Sequence, residues 1–387
     1  MNVQERETSE KSGGLSTTSI IPVSEGLGSD SFRAQLHALA EASGNFRAFV
    51  QTPHWCVHKV SAGERIQLAV RQNAAGELIG VTPLQTMTCP LPFDIGKRRI
   101  WQKSLRGLLL MGNIPLLPAC EQAYHELFST IHDTPESYDC LCLWGVPTDS
   151  YLFHYITTSR AIAESYIYYT PFGIPRYHWL ALPSTFAEYL SKFSAKTRNT
   201  LKRKVKRLSS HGDGSLELCR IEASEQIPAF VEAALSIARN SWQLLFLNLP
   251  LTHPVDHARS LRELADGGLL RCYLLKCGGR PCAFVVGSQL GSTFTFYETA
   301  YDSSFAEHSA GQVLVYLMIE DLIDHNRPVT LFFGTGDEDY KELFGNSIGT
   351  EVNIILIKRT TANWVWWKLH QIYRRGINAV NWLIRRQ

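Results

Sequence analysis

The chain has 387 residues, 45% hydrophobic and 19% charged, with a formal net charge of +2. That length gives room for two domains, each able to bury its own core. The near-neutral balance excludes a surface built throughout for nucleic acid, while allowing local basic patches. Nine cysteines without a C-x-x-C pair, most in apolar runs such as Cys140-Leu-Cys142-Leu-Trp144, read as buried free thiols of a reducing compartment.

Residues 1–30 are rich in Ser, Thr, Gly and Glu, without a basic start or an apolar core. They read as a disordered leader and not as a signal peptide. No run is long enough to span a bilayer, so a cytoplasmic protein is expected. From Asp30 a short capped helix is predicted. Alternation over Arg65–Arg71 and Leu78–Gln85, with a turn at Asn73–Gly76, predicts a β-hairpin. Leu105–Leu110 and Asp139–Trp144 are apolar runs of buried-strand length, with a helix over Glu121–Ile131 between them. A first mixed α/β domain is therefore expected over 31–184.

A second α/β unit is expected over 185–360. Phe186–Leu208 predicts one long helix, its stripe of Leu190, Phe193, Thr197, Leu201, Val205 and Leu208 at helical spacing. Helices over Glu225–Arg239 and Leu261–Asp266 follow. Gly268–Lys276, Cys282–Gln289 and Thr293–Thr299 then predict a strand meander. A helix from about Gln312 to His325, a strand from Val329 to Phe333 and a last strand over Val352–Lys358 complete the unit.

Chemistry concentrates at two places. Ser309, Ala310, Gly311 and Gln312 form a small-residue loop feeding an apolar helix. Unpaired N–H groups and the helix dipole make such a helix start a ready anion site. A plain N-cap by Ser309 is the competing reading. The strand at Val329 runs into Gly334-Thr-Gly-Asp-Glu-Asp-Tyr-Lys341, which gathers acids, a phenol and an amine at a strand end, where α/β proteins hold their ligands. Glu298 falls on the face of Phe294 and Phe296 by strict alternation. A carboxylate beside aromatic rings loses hydration, which lifts its pKa toward that of a useful base. An exposed acid at the strand end is the alternative. Asp337 reads either as a second base or amine anchor, or as the N-cap of a helix over Glu338–Phe344. The pairs His54/His58 and His253/His257 are spaced i,i+4 but lack the flanking Glu of a zincin, so no metal is expected.

Residues 185–345 resemble the GNAT superfamily of N-acyltransferases, in its CelD-like branch linked to polysaccharide synthesis and related to Fem-type aminoacyl transferases. Three motifs carry the resemblance: Thr197-Arg-Asn-Thr-Leu-Lys-Arg-Lys-Val-Lys-Arg-Leu208, Tyr301-Asp-Ser-Ser-Phe305 with Ser309-Ala-Gly311, and Phe333-Gly-Thr-Gly-Asp-Glu-Asp-Tyr-Lys341. Gln51-Thr-Pro-His-Trp55 is the shared landmark of the first half. Ala310 departs from the branch's usual Pro, and Phe332 from its usual acid. The common glycine pair is absent. The departure at Phe332 puts a base at that position in doubt and leaves an inactive relative open.

The resemblance implies two tandem GNAT-like α/β domains of mixed sheets with a C-terminal amphipathic helix. It also implies acyl-CoA as co-substrate and an amine acceptor, a small molecule or sugar of exopolysaccharide or envelope synthesis. The pyrophosphate would lie against residues 309–312. Tyr340 would serve as acid toward the departing thiolate, and Lys341 would offset phosphate or oxyanion charge. A core tyrosine and a surface lysine are the plain alternatives. The basic helix, with Lys192, Lys196, Arg198, Lys202, Arg203, Lys204, Lys206 and Arg207, favours an anionic partner, and keeps an aminoacyl-tRNA donor as the alternative. The tail 361–387 reads either as an interfacial anchor for peripheral membrane contact or as a helix docked on the first domain. With Phe332 it supports a third reading, an inactive GNAT-like subunit of a membrane-associated synthase.

Overall fold

In chain order the strands are β1 (Thr17–Pro22), β2 (Ile66–Gln72), β3 (Leu78–Ile95), β4 (Arg98–Leu110), β5 (Cys140–Pro147), β6 (Tyr166–Tyr169), β7 (Arg176–Ala181), β8 (Leu216–Ile221), β9 (Cys272–Cys277), β10 (Arg280–Leu290), β11 (Thr293–Tyr301), β12 (Thr330–Thr335) and β13 (Ser347–Lys358). The computed structural model describes residues 16–95, 98–134, 137–211, 213–241 and 254–384. Two compact units share the chain. One takes residues 1–39, 64–173 and 352–387, the other 40–63 and 174–351.

In the first unit β1, β2, β3 and β4 are antiparallel neighbours, and β5 joins β4 in parallel. The Ile355–Lys358 part of β13 pairs with β6. One sheet face is covered by the Glu121–His132 helix, whose Ala123, Tyr124, Leu127, Phe128 and Ile131 lie inward at helical spacing. Residues 17–22, expected within a disordered leader, are instead strand β1, paired over six residues with β2. The run Thr17-Thr-Ser-Ile-Ile-Pro supplies the β-branched residues that a strand favours. Val23–Leu27, in the same stretch, is a short helix, and a further helix starts at Asp30; only residues 1–15 of that expectation lie outside the described residues.

In the second unit β8, β9, β10 and β11 form the antiparallel meander, and β12 joins β11 in parallel. β7 pairs antiparallel with β12 and with the Ser347–Thr350 part of β13. The core on one face joins Phe294, Phe296 and Leu331 to the Ala310–Asp324 helix and the Ala195–His211 helix. The other face meets the Ile227–Arg239 helix, with Phe230 edge-on to Phe284. The helix expected as one piece over Phe186–Leu208 is two, Phe186–Ser191 and Ala195–His211. Ser194 separates them because its Oγ accepts the Thr197 N–H at 3.1 Å, as an N-cap does. The landmark Gln51–Trp55, expected in the first domain, falls in this second unit.

Cys89, Cys140 and Cys142 converge in the first unit, their Sγ atoms within 4.8 Å of one another. Gly107 on the intervening β4 makes room, since a Cβ there would lie 3.4 Å from Cys89 Cβ and 3.5 Å from Cys142 Sγ. All three are buried free thiols.

Candidate functional site

β11 and β12 pair at only three positions, Thr293–Thr330, Phe294–Leu331 and Thr295–Phe332. Beyond these the strands run on unpaired with each other, to Tyr301 and Thr335, leaving an opening at their carboxyl ends. A ladder abandoned midway leaves backbone polar groups for something else to engage. β11 also carries a bulge. Gly287 of β10 faces Phe296, yet the next residue, Val286, faces Glu298, so Tyr297 is the extra residue.

That bulge overturns the alternation argument for Glu298. Phe294 and Phe296 join the core beneath the Ala310–Asp324 helix. Past the bulge the phase inverts, and Glu298 lies on the opposite face. There it is buried, which is the condition the expectation of a base rested on, and not an exposed end-of-strand acid. Its carboxylate is 3.9 Å from His257 Nε2, on the Pro254–Asp266 helix. Burial pushes that imidazole down to about 4, so it is neutral near pH 7. In the sequence His257 stands out only as half of an i,i+4 pair with His253, which lies outside the described residues.

The Tyr301–Phe305 motif proves to be a positioning device. Asp302 Oδ1 accepts the Ser304 N–H at 2.8 Å, opening the turn, while Phe305 anchors it in the core. The chain then passes Ser309, held in the left-handed region at φ 58°, and enters the helix at Ala310, two residues earlier than expected. Ser309 makes no side-chain cap bond, so the plain capping reading is not the one observed. The N–H groups of Ala310, Gly311 and Gln312 belong to the first turn, where helix geometry supplies no acceptor. Gly311 packs against the Tyr301 ring, and a Cβ would lie 3.3 Å from it. The basic helix passes close by: Lys204 Nζ donates to Gln312 Oε1, and His211 stacks on His308 at 4.2 Å. Burial, then His211 and Arg207, holds His308 below the ordinary imidazole range. First-turn amides beside a lysine and an arginine fit an anionic carrier such as the pyrophosphate of acyl-CoA.

At the end of β12, Gly334 and Gly336 take φ of 82° and 116°, and a Cβ on Gly336 would lie 2.6 Å from Glu338 Oε2. This turn needs glycine. Lys341 ties it from within, donating to Thr335 O and pairing with Glu338 at 2.8 Å. It is buried, neither the surface lysine nor a free cation. Asp337 is exposed and paired with Arg176 at 2.9 Å, with His178 Nε2 at 3.5 Å. The hydrogen bond from Arg176 leads in holding its carboxyl below the usual range, which suits an anchor for a cation better than a base. Asp337 does not cap the following helix, whose N-cap residue is Glu338. Tyr340 lays its ring near Phe296 and Phe333, at 6.1 and 6.4 Å. Burial drives its phenol well above the ordinary value, so it keeps its proton.

Phe332, standing where an acid was expected, stacks on Phe46 at 4.6 Å and 13°, with the Arg47 guanidinium 5.5 Å from its ring. A buried carboxylate is supplied close by from another strand. Glu351 of β13 accepts Arg47 at 3.0 Å and the Thr335 hydroxyl. Glu351, Arg47 and Arg176 carried no motif, and only their meeting in space marks them. The structure thus brings Asp337, Tyr340 and Lys341 to one strand end and Ser309–Gln312 to one helix start, with Glu298 behind the sheet from Tyr340.

Residues 195–342 match the family model described as an acetyltransferase (GNAT) domain. No curated protein matches the sequence. Among solved structures, FemX aligns with a TM-score of 0.61 at 12% identity, over 87% of this chain and 98% of that one. A conserved protein of unknown function from Bacteroides thetaiotaomicron aligns at 0.52 and 12%, over 84% and 97%. A tandem GNAT protein from the clavulanic acid biosynthesis pathway aligns at 0.45 and 12%, over 89% and 98%. The fold is that of FemX, with mixed α/β sheets in two units and a helix as the last element. Residues 195–342 carry a GNAT-superfamily acyltransferase domain of the CelD-like family.

Proposed function

We propose that the protein is an N-acyltransferase that moves an acyl group from acyl-CoA to an amine. The observation that carries this reading is the three-pair β11–β12 ladder opening directly before a helix start with uncapped N–H groups. Ala310, Gly311 and Gln312 would hold the anionic carrier, with Lys204 beside them. Glu298 takes the proton from the attacking amine as the N–C bond forms, directly or through one water, and His257 positions its carboxylate. Tyr340, still protonated, gives its proton to the sulfur as the C–S bond breaks. Base and acid lie on opposite faces of β11, as groups flanking a gap would. Asp337 steers the acceptor's ammonium, and Lys341 fixes the turn that carries Asp337 and Tyr340. The resemblance alone supports an acceptor amine on a sugar or related metabolite of exopolysaccharide or envelope synthesis. The free thiols support a cytoplasmic setting.

Calorimetry with acetyl-CoA tests the donor. Wild-type protein should bind, and Gly311→Glu should not, because it sets a side chain and a negative charge against Tyr301 and the approaching phosphates. Once an acceptor amine is found, Tyr340→Phe should lower kcat by about 10²–10⁴-fold with KM for the donor nearly unchanged. Equal acetyl-CoA affinity in wild type and Gly311→Glu would remove the loop from the site.

A second reading rests on the basic helix, which exposes Lys196, Lys202, Arg203, Lys206 and Arg207. With an aminoacyl-tRNA donor, these residues would follow the phosphate backbone and binding would weaken steeply with salt. Salt-sensitive tRNA binding without acetyl-CoA binding would choose this reading. Bound donor without turnover of any amine would choose the inactive subunit.

A further inference from the structure

The Thr361–Ile384 helix belongs to the first unit and is fixed in rotation by one face. His370 is buried between the Tyr169 hydroxyl at 2.6 Å and Pro92 O at 2.9 Å. Trp366 meets Trp101 at 5.2 Å, and Tyr373 meets Phe93 at 4.8 Å. At 3.6 residues per turn, this locks Trp364, Val365, Lys368, Leu369, Ile372 and Arg375 onto the opposite, outward face. The apolar members are exposed by 48% (Trp364), 42% (Val365), 45% (Leu369) and 66% (Ile372). The β3–β4 hairpin beside them adds Ile100 at 62% and Trp101 at 44%. Six large apolar side chains gathered in this way mark a docking surface, where single scattered ones would not.

We propose that this surface docks on an anionic phospholipid bilayer, with the helix lying in the interface. Charge selects this occupant. Lys103 lies 5.2 Å from the Trp366 ring, and Lys368 lies 4.6 Å from Trp367 and 5.7 Å from Trp364. Arg98, Arg99 and Arg375 are exposed around them. Residues 361–387 contain no Asp or Glu, and Asp94 of the hairpin is already paired with Arg99 at 3.0 Å. Trp and aliphatic side chains among cations match the headgroup boundary of an anionic membrane. A second copy of the chain fits poorly, because a two-fold contact would bring this acid-free cationic helix face against the same charges of its copy. Among the described residues no helix is long and apolar enough to cross a membrane, so the contact is with one leaflet. This inference stands apart from the catalytic reading and survives its failure.

The test is co-sedimentation of the full chain with vesicles. It should pellet with equimolar phosphatidylcholine and phosphatidylglycerol, stay in solution with phosphatidylcholine alone, and be released by high salt. Leu369→Glu with Ile372→Glu should abolish binding without lowering the melting temperature, since both side chains are exposed. Lys368→Ala with Arg375→Ala should weaken it by about tenfold or more. Vesicles should shift the tryptophan emission to the blue by less in Trp364→Phe than in wild type. Three outcomes would overturn the proposal: no pelleting with either vesicle, pelleting indifferent to the double Glu change, or a wild-type dimer by light scattering that the double Glu change splits.

Discussion

His257 shows how one buried side chain couples the site to pH. Its imidazole is pushed from 6.5 to about 4 by burial, although a carboxylate oxygen lies 3.9 Å away. The folded pKa is below the unfolded one, so between these values the unfolded chain binds more protons and stability rises with pH. The contribution is complete above pH 6.5 and is lost as pH falls toward 4, up to about 3 kcal/mol. Melting temperature should therefore drop between pH 7 and pH 5. His257→Leu, close in volume and without a proton to gain, should drop less over that interval. An unchanged slope in the variant would assign the acid sensitivity elsewhere.

The bulge in β11 is the element on which the proposed acid–base arrangement turns. Gly287 stands opposite it, and a Cβ there would lie 2.4 Å from the Phe294 ring and 3.0 Å from Arg271 O. Gly287→Ala should therefore cost about 1–3 kcal/mol through overpacking. It should also lower turnover more than a distant change of equal cost, because shifting Phe294 moves the strand that aims Glu298. Thermal melts beside kinetics on both variants would check this. The loop and strand ends of this site were legible in the sequence, since glycines at Gly311, Gly334 and Gly336 and the run from Asp337 to Lys341 are local signals. The face of Glu298 was not. Alternation assumes a regular ladder, and Tyr297 is an extra residue only in relation to its partner strand. Likewise β1 and β8 went unread: each is six residues long, and each takes its place from the strand beside it.

At the scale of the molecule, the boundary expected at 184/185 falls inside the 174–351 segment of the second unit. The second unit needs β7, at Arg176–Ala181, between β12 and the Ser347–Thr350 part of β13. It also needs residues 40–63, which bring Phe46 onto Phe332 and Arg47 onto Glu351. A fragment of residues 185–360 should thus lack a single cooperative unfolding transition by calorimetry, whereas the full chain should show cooperative melting. A sharp melt of that fragment would mean that the meander and its helices suffice. The order of synthesis meets the same constraint. The Arg47–Glu351 bond spans 304 positions, and β6 of the first unit waits for Ile355–Lys358. Closing such long loops is slow, and half-built sheets keep open edges meanwhile. On the ribosome, neither unit can finish before residues 347–358 have emerged, so both complete together, after translation of most of the chain.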